Sequence, residues 1–335
     1  MLRRGDLDPG ILGSRDPQET VKNLQESLQK SAILGKKLIP STMQDQYPDL
    51  ESLQRALDRQ MAEHNNRPMP EFDHLSPNQM AFILYRPFAE GSPIRFKPLL
   101  PNEVVDQIPF ARLFRIFAEK IRELGRLKLT ATGNLPRKTC QELYELGIIK
   151  EWAIEEGITK LSKETDSIVL QNLKNIGKLS GILKVQHNWL SLTKNGTKLL
   201  DSAGHGELFQ TLFLTNFSKF NLGYYDGFPQ ESKVQFTLGY TLYLLLKYGH
   251  EQRELQFYID KNLAAFPFLL EDFPAHSLWS SPEEDYRSCY YVRVFQRFLD
   301  FYGFVAIKEK RNLDTFDREV YVRATDLYRE VLVMG

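Results

Sequence analysis

The chain has 335 residues, of which 42% are hydrophobic and 26% charged, and this composition is typical of a globular protein with a sizeable core. Lys and Arg together number 43, as do Asp and Glu, so the formal net charge is zero. This balance argues against a protein that coats nucleic acid or a membrane surface, because such proteins usually carry an excess of one sign of charge.

The first part of the chain predicts helices that proline-rich stretches separate. Asp16 begins a helix that Gly35 ends, because Asp caps free backbone N–H groups and Gly readily adopts the left-handed turn after a helix. A second helix is predicted over 47–64 and a third over 76–86, from the spacing of their apolar residues. The stretch 90–109 holds four prolines and therefore predicts an extended connection.

The central segment has the element order of a winged helix. Its predicted elements are, in chain order, a helix over 110–125, a strand over 126–130, a helix over 134–147, a helix over 168–181, a hairpin over 182–193 that turns at 186–188, and a closing helix over 194–202. The stretch TATGNLPRKT, which precedes the second helix, lacks the second glycine and the Gly-Lys pair of a phosphate-binding loop.

One feature of this segment departs from a tight helix-turn-helix. About twenty residues, including IIKEWAIEEGITKLSKE, separate the second and third helices, whereas the usual turn has roughly three or four residues. The stretch is either an insertion or part of a looser arrangement of three helices.

The last part of the chain is rich in Phe and Tyr. The aromatic residues concentrate between Glu207 and Tyr302 and predict a compact helical domain, because aromatic side chains bury large areas. The stretch 304–332 predicts two strands around a polar turn near Asp314, followed by a final helix. The stretch 221–229, NLGYYDGFP, is either a binding site with aromatic faces and one carboxylate or, as we favour, a tight Asp-Gly turn.

We therefore expect a mainly α protein with small β-hairpins. The expected domains are an N-terminal helical region with an extended linker over 1–105, a winged-helix-like domain over 106–204, and an aromatic-rich helical domain with a C-terminal hairpin over 205–335.

Three motifs resemble those of an uncharacterised family of bacterial proteins. They are LSPNQMAFILYRPF, LKLTATGNLP and LSLTKNGTKLL, and the resemblance covers roughly residues 70–270. No activity comes with it. Some relatives are associated with SEC-C type metal-binding tails, but this chain has no Cys-x-Cys or Cys-His cluster at its end, so the resemblance implies no metal here.

The central segment is basic although the whole chain is neutral. Eight Lys and Arg against two Glu lie between Arg112 and Lys138, and seven Lys against two acidic residues lie between Lys160 and Lys198. Such a patch suits phosphates, because release of counterions supplies much of the affinity for nucleic acid. The candidate nucleic-acid-binding residues are Gln171, Lys174, Asn175, Lys178, Lys184, Lys194, Arg137 and Lys138.

Periodicity predicts that Lys174 and Lys178 share one exposed face of the third helix, since residues four apart project from the same side. The alternative is that the lysines form a solvated face without a ligand, or a face that binds protein.

Metal and catalytic motifs are absent from the sequence. The six histidines show neither HxxxH nor HExxH spacing, and neither Cys140 nor Cys289 belongs to a CxxC pair. We expect both cysteines to be unpaired core residues and expect no bound metal or cofactor. No GxSxG motif and no glycine-rich nucleotide loop occur, so an enzyme ranks last, although many active sites lack a local motif.

The sequence predicts a cytoplasmic protein, because MLRRGDLDPG is not followed by an apolar signal segment and the longest apolar stretch is too short for a membrane span. The first hypothesis is a nucleic-acid-binding or regulatory protein. The second is a protein–protein interaction module that uses the winged-helix frame for packing, and the third is an enzyme without a recognisable motif. An exposed, positive third helix and hairpin would favour the first hypothesis, and a third helix covered by another domain would favour the second.

Overall fold

Helices form most of the structure, a computed structural model that describes residues 50–201, 204–224, 226–229, 233–273, 280–311 and 318–335. The expectation of a mainly α protein with small β-hairpins is confirmed. The helix predicted from Asp16 to Gly35 and the turn predicted near Asp314 lie outside the described residues.

The chain divides into two compact units, Met1–Asn65 and Asn66–Gly335. The first unit is described only from Leu50 onward, where helix α1, Leu50–Asn66, begins. All further elements belong to the second unit. The predicted domain boundaries at 105 and 204 fall inside that unit and stay predictions.

The helices of the second unit lie close to the predicted bounds where the sequence predicts them, over 76–86, 110–125, 134–147, 168–181 and 194–202. In chain order they are α2 Pro77–Tyr85, α3 Asn102–Val105, α4 Pro109–Glu123, α5 Arg137–Glu145, α6 Trp152–Glu155, α7 Ile168–Leu179, α8 Lys194–Asp201, α9 Gly206–Ser218, α10 Leu238–Tyr248, α11 Leu255–Ala265, α12 Pro282–Tyr290 and α13 Asp326–Val331. A π-helix, Tyr291–Leu299, continues α12.

The strands form three small antiparallel sheets. They are β1 Ile94–Phe96, β2 Leu127–Lys128, β3 Leu183–Gln186, β4 Trp189–Leu192, β5 Arg253–Glu254, β6 Val305–Arg311, β7 Arg318–Ala324 and β8 Leu332–Met334. The strand orders of the three sheets are β1-β8, β2-β4-β3 and β5-β7-β6.

The proline-rich stretch 90–109 is more than a connection. It is extended where β1 lies, as predicted, but β1 pairs with β8 at the far end of the chain, with Ile94 opposite Met334. Ile94 is fully buried, and the stretch also contains the short helix α3. Sequence reasoning missed this pairing because nothing in a three-residue strand identifies its distant partner.

The two three-stranded sheets are built in the same way. In each, the third strand in chain order lies between the other two, so that β4 and β7 are the central strands. Lys128 of β2 lies opposite Trp189 of β4, and Glu254 of β5 lies opposite Tyr321 of β7. The residue after each aromatic residue, Leu190 or Val322, is fully buried, so both aromatic side chains belong to the opposite, outward face.

Aromatic side chains form the core that joins α9 to the C-terminal part of the unit. The ring of Phe213 lies 5.0 Å from that of Tyr302 and 5.2 Å from that of Phe298, measured between centroids. These separations are typical of aromatic pairs, which contribute beyond the area they bury. The concentration of Phe and Tyr in the sequence correctly predicts this core.

A buried ion pair holds Asp226, which lies in the Asp-Gly turn predicted from the sequence. Nε of Arg293, on the π-helix, lies 2.5 Å from a carboxylate oxygen of Asp226, and both side chains are almost fully buried. The guanidinium group also donates to the carbonyl oxygen of Pro229 at 2.9 Å. A Cβ atom on Gly223 would lie 2.6 Å from the same group, so a larger residue there would have to displace the guanidinium. Asp226 therefore anchors a turn to the core, as we favoured, and its carboxylate faces a protein cation rather than a ligand.

Loss of one partner of this pair should destabilise the fold strongly. We expect Asp226→Ala to lower the free energy of unfolding by about 3–5 kcal/mol, because it leaves the Arg293 guanidinium buried without a counter-charge. Urea denaturation followed by circular dichroism measures the change. Glu155→Gln, which removes a carboxylate from the exposed pair with Lys150, is the control and should resemble the wild type. Equal stability of the two variants would contradict the anchoring role.

Candidate nucleic-acid interface

The structure separates the eight predicted site residues into accessible and inaccessible groups. Gln171 is 4% and Lys174 8% exposed, and Asn175 is half-buried. The accessible residues are Lys178, Lys184, Lys194, Arg137 and Lys138. The structure does not test whether any of the eight residues binds nucleic acid, so that assignment stays a prediction.

The expectation that Lys174 shares an exposed face with Lys178 is wrong. Nζ of Lys174 lies 2.7 Å from a carboxylate oxygen of Glu164, and both side chains are buried. The same ammonium group donates to the carbonyl oxygen of Gly133 at 2.8 Å. Glu164 in turn accepts from the backbone N–H of Leu135 at 2.6 Å. Lys174 is therefore a structural residue of the interior and is not free to contact phosphate.

Gln171, which the sequence offers as a candidate nucleic-acid-binding residue, also has a structural role. Its side-chain amide donates to the carbonyl oxygen of Ser167 at 3.2 Å, one turn earlier in α7. The stretch between α5 and α7 covers this side of the helix, because Glu164 lies in it and reaches Lys174. Sequence periodicity cannot show this coverage, since it depends on where a long connection folds.

The start of α7 is closed by the same connection. Oγ of Ser167 accepts from the N–H of Leu170 at 3.2 Å, and a carboxylate oxygen of Glu151 accepts from the N–H of Ile168 at 2.8 Å. Burial raises the pKa of the Glu151 carboxyl above its ordinary value, although the hydrogen bonds from Ser167 and Ile168 oppose this shift. The N-terminus of α7 thus has protein carboxylate and hydroxyl partners, and it is not open to a phosphate.

On its other sides α7 packs against α4, β3 and α9. At Gly177 an added Cβ atom would lie 2.6 Å from Leu183 of β3 and 2.9 Å from Phe114 of α4, so the three elements approach closely. Among the residues of α7, only Lys178 and Leu179, at its end, are exposed. The third helix cannot enter the major groove of DNA in this arrangement.

The outward face of sheet β2-β4-β3 is basic and carries one aromatic residue. Lys128, Trp189 and Gln186 lie side by side across the three strands, and Lys184 lies beside Ser191 on the same face. The guanidinium carbon of Arg126 lies 4.2 Å from the centroid of the Trp189 ring, and Nζ of Lys128 lies 5.9 Å from it. The three strands contain no acidic residue.

Within the described part of the chain, no carboxylate forms an ion pair with Arg126, Lys128 or Lys184. We call the residues Arg126, Lys128, Lys184, Gln186 and Trp189 the basic sheet face. Sequence reasoning named only Lys184 of this set. The alternation in RLKLT places Arg126 and Lys128 on one side of the strand. A two-residue turn places Trp189 opposite Gln186. These four residues could therefore have been found from the sequence.

The turn of this hairpin has the geometry that a two-residue loop requires. His187 and Asn188 have φ values of 49° and 63°, in the left-handed region that a type I′ turn uses. The side chain of Asn188 donates to the carbonyl oxygens of Leu129 and Thr130, at 3.1 and 2.8 Å. The turn predicted at 186–188 is present, and it holds the basic sheet face against the end of β2.

The other candidate groups have structural partners. Cys140 and Cys289 are buried, as predicted. Burial, with a smaller contribution from the Glu164 carboxylate, raises the pKa of the Cys140 thiol to about 12, so the thiol is not reactive. Nδ1 of His205 and the guanidinium of Arg115 both lie within 2.9 Å of one Asp106 oxygen. In the described residues, no three His, Cys, Asp or Glu side chains are grouped as metal ligands would be.

No protein-family model matches the chain, and no curated protein and no solved structure matches it significantly. The resemblance of its three motifs to a bacterial family therefore stays a prediction. Of the described helices, none has both the length and the apolar character of a membrane span.

Substitution of Lys174 should affect stability far more than substitution of its neighbour one turn away. We expect Lys174→Met to lower the free energy of unfolding by about 3–5 kcal/mol, because Glu164 keeps a buried charge without its partner. The matched control, Lys178→Met, changes an exposed residue of the same helix and should be close to the wild type. Adding Glu164→Gln to Lys174→Met should restore part of the loss. Urea denaturation of the wild type, Lys174→Met, Glu164→Gln and the double variant gives the coupling, and additive effects would contradict a direct pair.

Proposed function

We propose that the protein binds nucleic acid through a central winged-helix-like domain, 106–204, and that it does so with the sheet rather than with the third helix. The observation that carries the proposal is the basic sheet face, on which Arg126, Lys128 and Lys184 lie without a carboxylate partner among the described residues. Neutral overall charge does not oppose the proposal, because phosphate binding depends on the local patch.

The order of the elements supports the winged-helix part of the proposal. Helix α4, strand β2, helices α5 and α7, and the hairpin β3–β4 follow one another in the order that defines a winged helix. The first strand pairs with the last, which gives the sheet order β2-β4-β3. The long connection with α6 is then an insertion between the second and third helices, and it covers the helix that would otherwise read DNA.

The distribution of ion pairs supports the choice of the sheet. Several basic residues of the central segment are neutralised: Lys120 by Glu142 at 2.6 Å, and Arg122 by Asp201 at 2.9 Å. Glu142 also lies 3.9 Å from the predicted site residue Lys138. In the strands of the basic sheet face, by contrast, the charges are of one sign.

Removal of the two strand lysines tests the proposal. We expect Lys128→Gln with Lys184→Gln to weaken binding of a labelled oligonucleotide and to reduce the slope of log affinity against log salt by about 0.7 to 0.9 per lost phosphate contact. Fluorescence anisotropy at several salt concentrations measures both quantities. Circular dichroism confirms that the variant is folded, as expected for two exposed side chains.

The second hairpin supplies a matched control. Lys308 and Lys310 of β6 are also exposed. Two carboxylates lie on the same face, however: Glu254 is opposite Tyr321, and Glu319 is opposite Lys310. Lys308→Gln with Lys310→Gln should leave affinity and salt slope nearly unchanged. An equal loss in both double variants would contradict binding at the basic sheet face, and no binding by the wild type at low salt would contradict the proposed function.

A second candidate function is protein binding at the connection between α5 and α7. Trp152 and Ile158 are each 65% exposed, which is unusual for large apolar side chains that lie close together in sequence. The coverage of α7 also fits a winged-helix frame that is used for packing.

If this connection binds a partner, a photo-reactive amino acid at Trp152 should give a discrete cross-linked protein in cells, and the same group at Lys178 should not. Mass spectrometry identifies the adduct. Ile158→Ser, introduced beside the cross-linker, should reduce its yield severalfold because it removes apolar contact area. A yield at Lys178 equal to that at Trp152 would contradict a specific docking surface.

A further inference from the structure

We propose that the basic sheet face binds a single strand of nucleic acid rather than a duplex, with one base stacked on the Arg126–Trp189 pair. This inference rests on the proposed function and names the form of nucleic acid that the same face takes. It follows from three features: the covered third helix, the stacked pair, and the positions of the lysines on either side of it.

The covered helix removes the usual means of reading a duplex. A winged-helix domain that binds duplex DNA places its third helix in the major groove, where side chains reach the edges of the bases. Here Gln171 and Lys174 are buried. Glu164 forms an ion pair with Lys174, and Glu151 accepts the backbone N–H of Ile168 at the start of α7, so neither group is free to contact a ligand. The major groove also admits a two-stranded β-ribbon, but here β2 pairs with β4 as a third strand, so the hairpin is not a free ribbon.

The stacked pair suits an unpaired base. Trp189 is half-buried and Arg126 exposed, and the guanidinium carbon lies 4.2 Å from the indole ring centroid. Bases that are free of a partner strand stack on aromatic rings and on arginine guanidinium planes. In a duplex the faces of the bases are covered by their neighbours, so this pair could contact only base edges and the backbone and could not stack on a base.

The lysines lie where the phosphates on both sides of a stacked base would be. Trp189 is on the central strand β4, Lys128 is on β2 at one edge, and Lys184 is on β3 at the other edge. A strand of nucleic acid that crosses the sheet would therefore meet a cation, the stacked pair and a second cation in turn. Gln186, beside Trp189 on the same face, can donate to and accept from the edge of the stacked base.

The corresponding face of the second hairpin lacks this combination. Tyr321 occupies the position of Trp189, but its hydroxyl donates to Glu319 at 2.9 Å and lies 3.4 Å from a carboxylate oxygen of Glu254. Glu254 stands at the position of Lys128. Two carboxylates beside the ring disfavour a phosphate backbone there, so the inference applies to the first hairpin alone.

The test uses the full chain and three fluorescein-labelled probes of equal length, about 15 nucleotides, which is within the site sizes of single-strand-binding folds. They are oligothymidylate, the same backbone with abasic sites, and a duplex. Anisotropy at about 50 mM salt gives the three affinities. We expect oligothymidylate to bind about tenfold more tightly than the abasic strand, as one stacked base contributes, and more tightly than the duplex.

Variants of Trp189 connect this preference to the stacked pair. Trp189→Leu keeps the apolar bulk and should abolish the difference between the oligothymidylate and abasic probes, whereas Trp189→Phe keeps an aromatic ring and should retain most of it. Tyr321→Leu, at the matching position of the second hairpin, is the control and should change nothing.

Different failures are distinguishable. Equal affinity for abasic and oligothymidylate probes, with the lysine double variant still weaker, would overturn stacking and leave the proposed function in place. Tighter binding of the duplex would overturn the single-strand assignment in the same way. No binding of any probe by the wild type would overturn both.

Discussion

The buried contact between Glu164 and Lys174 determines what the central segment can present to a ligand. One carboxylate holds the Lys174 ammonium group and the backbone N–H of Leu135, so it joins the connection before α7, the helix itself and the loop before α5. A buried charge pair is stable only when both partners and their further hydrogen bonds are present. Because these are satisfied here, the connection stays on the helix, and the helix surface that a winged-helix protein would offer to DNA belongs to the interior.

This constraint moves the candidate site to the hairpin. Both three-stranded sheets have the same strand order and the same register at the outward aromatic residue, although β6 and β7 are longer than β3 and β4. What differs is the residue opposite the outward aromatic side chain, Lys128 in one sheet and Glu254 in the other. Glu254 and Glu319 both lie beside the aromatic ring of the second sheet, whereas Lys128 lies beside that of the first.

The sequence predicted most of what depends on local pattern. The helices of the central segment other than the short one over 152–155, the hairpin with its turn at His187 and Asn188, and the aromatic core around Phe213 follow from periodicity, capping, turn chemistry and composition. Sequence reasoning failed where burial or strand pairing depends on residues that are distant in the sequence. Lys174 and Lys178 look alike on a helical projection, and β1 looks like a linker until β8 pairs with it. Trp189 was overlooked although strand register could have placed it beside Lys128.

Zero net charge is consistent with nucleic-acid binding at the basic sheet face, and it affects which interactions would supply the affinity. Ions at about 0.1 M screen exposed charges over roughly 10 Å, so a phosphate at the basic sheet face interacts mainly with Arg126, Lys128 and Lys184 and only weakly with acidic residues elsewhere. A neutral protein gains little long-range attraction for a polyanion, and association then depends on contacts made after encounter. An aromatic stacking contact is short-ranged and insensitive to salt, so it would supply the part of the affinity that three cations cannot provide at physiological ionic strength.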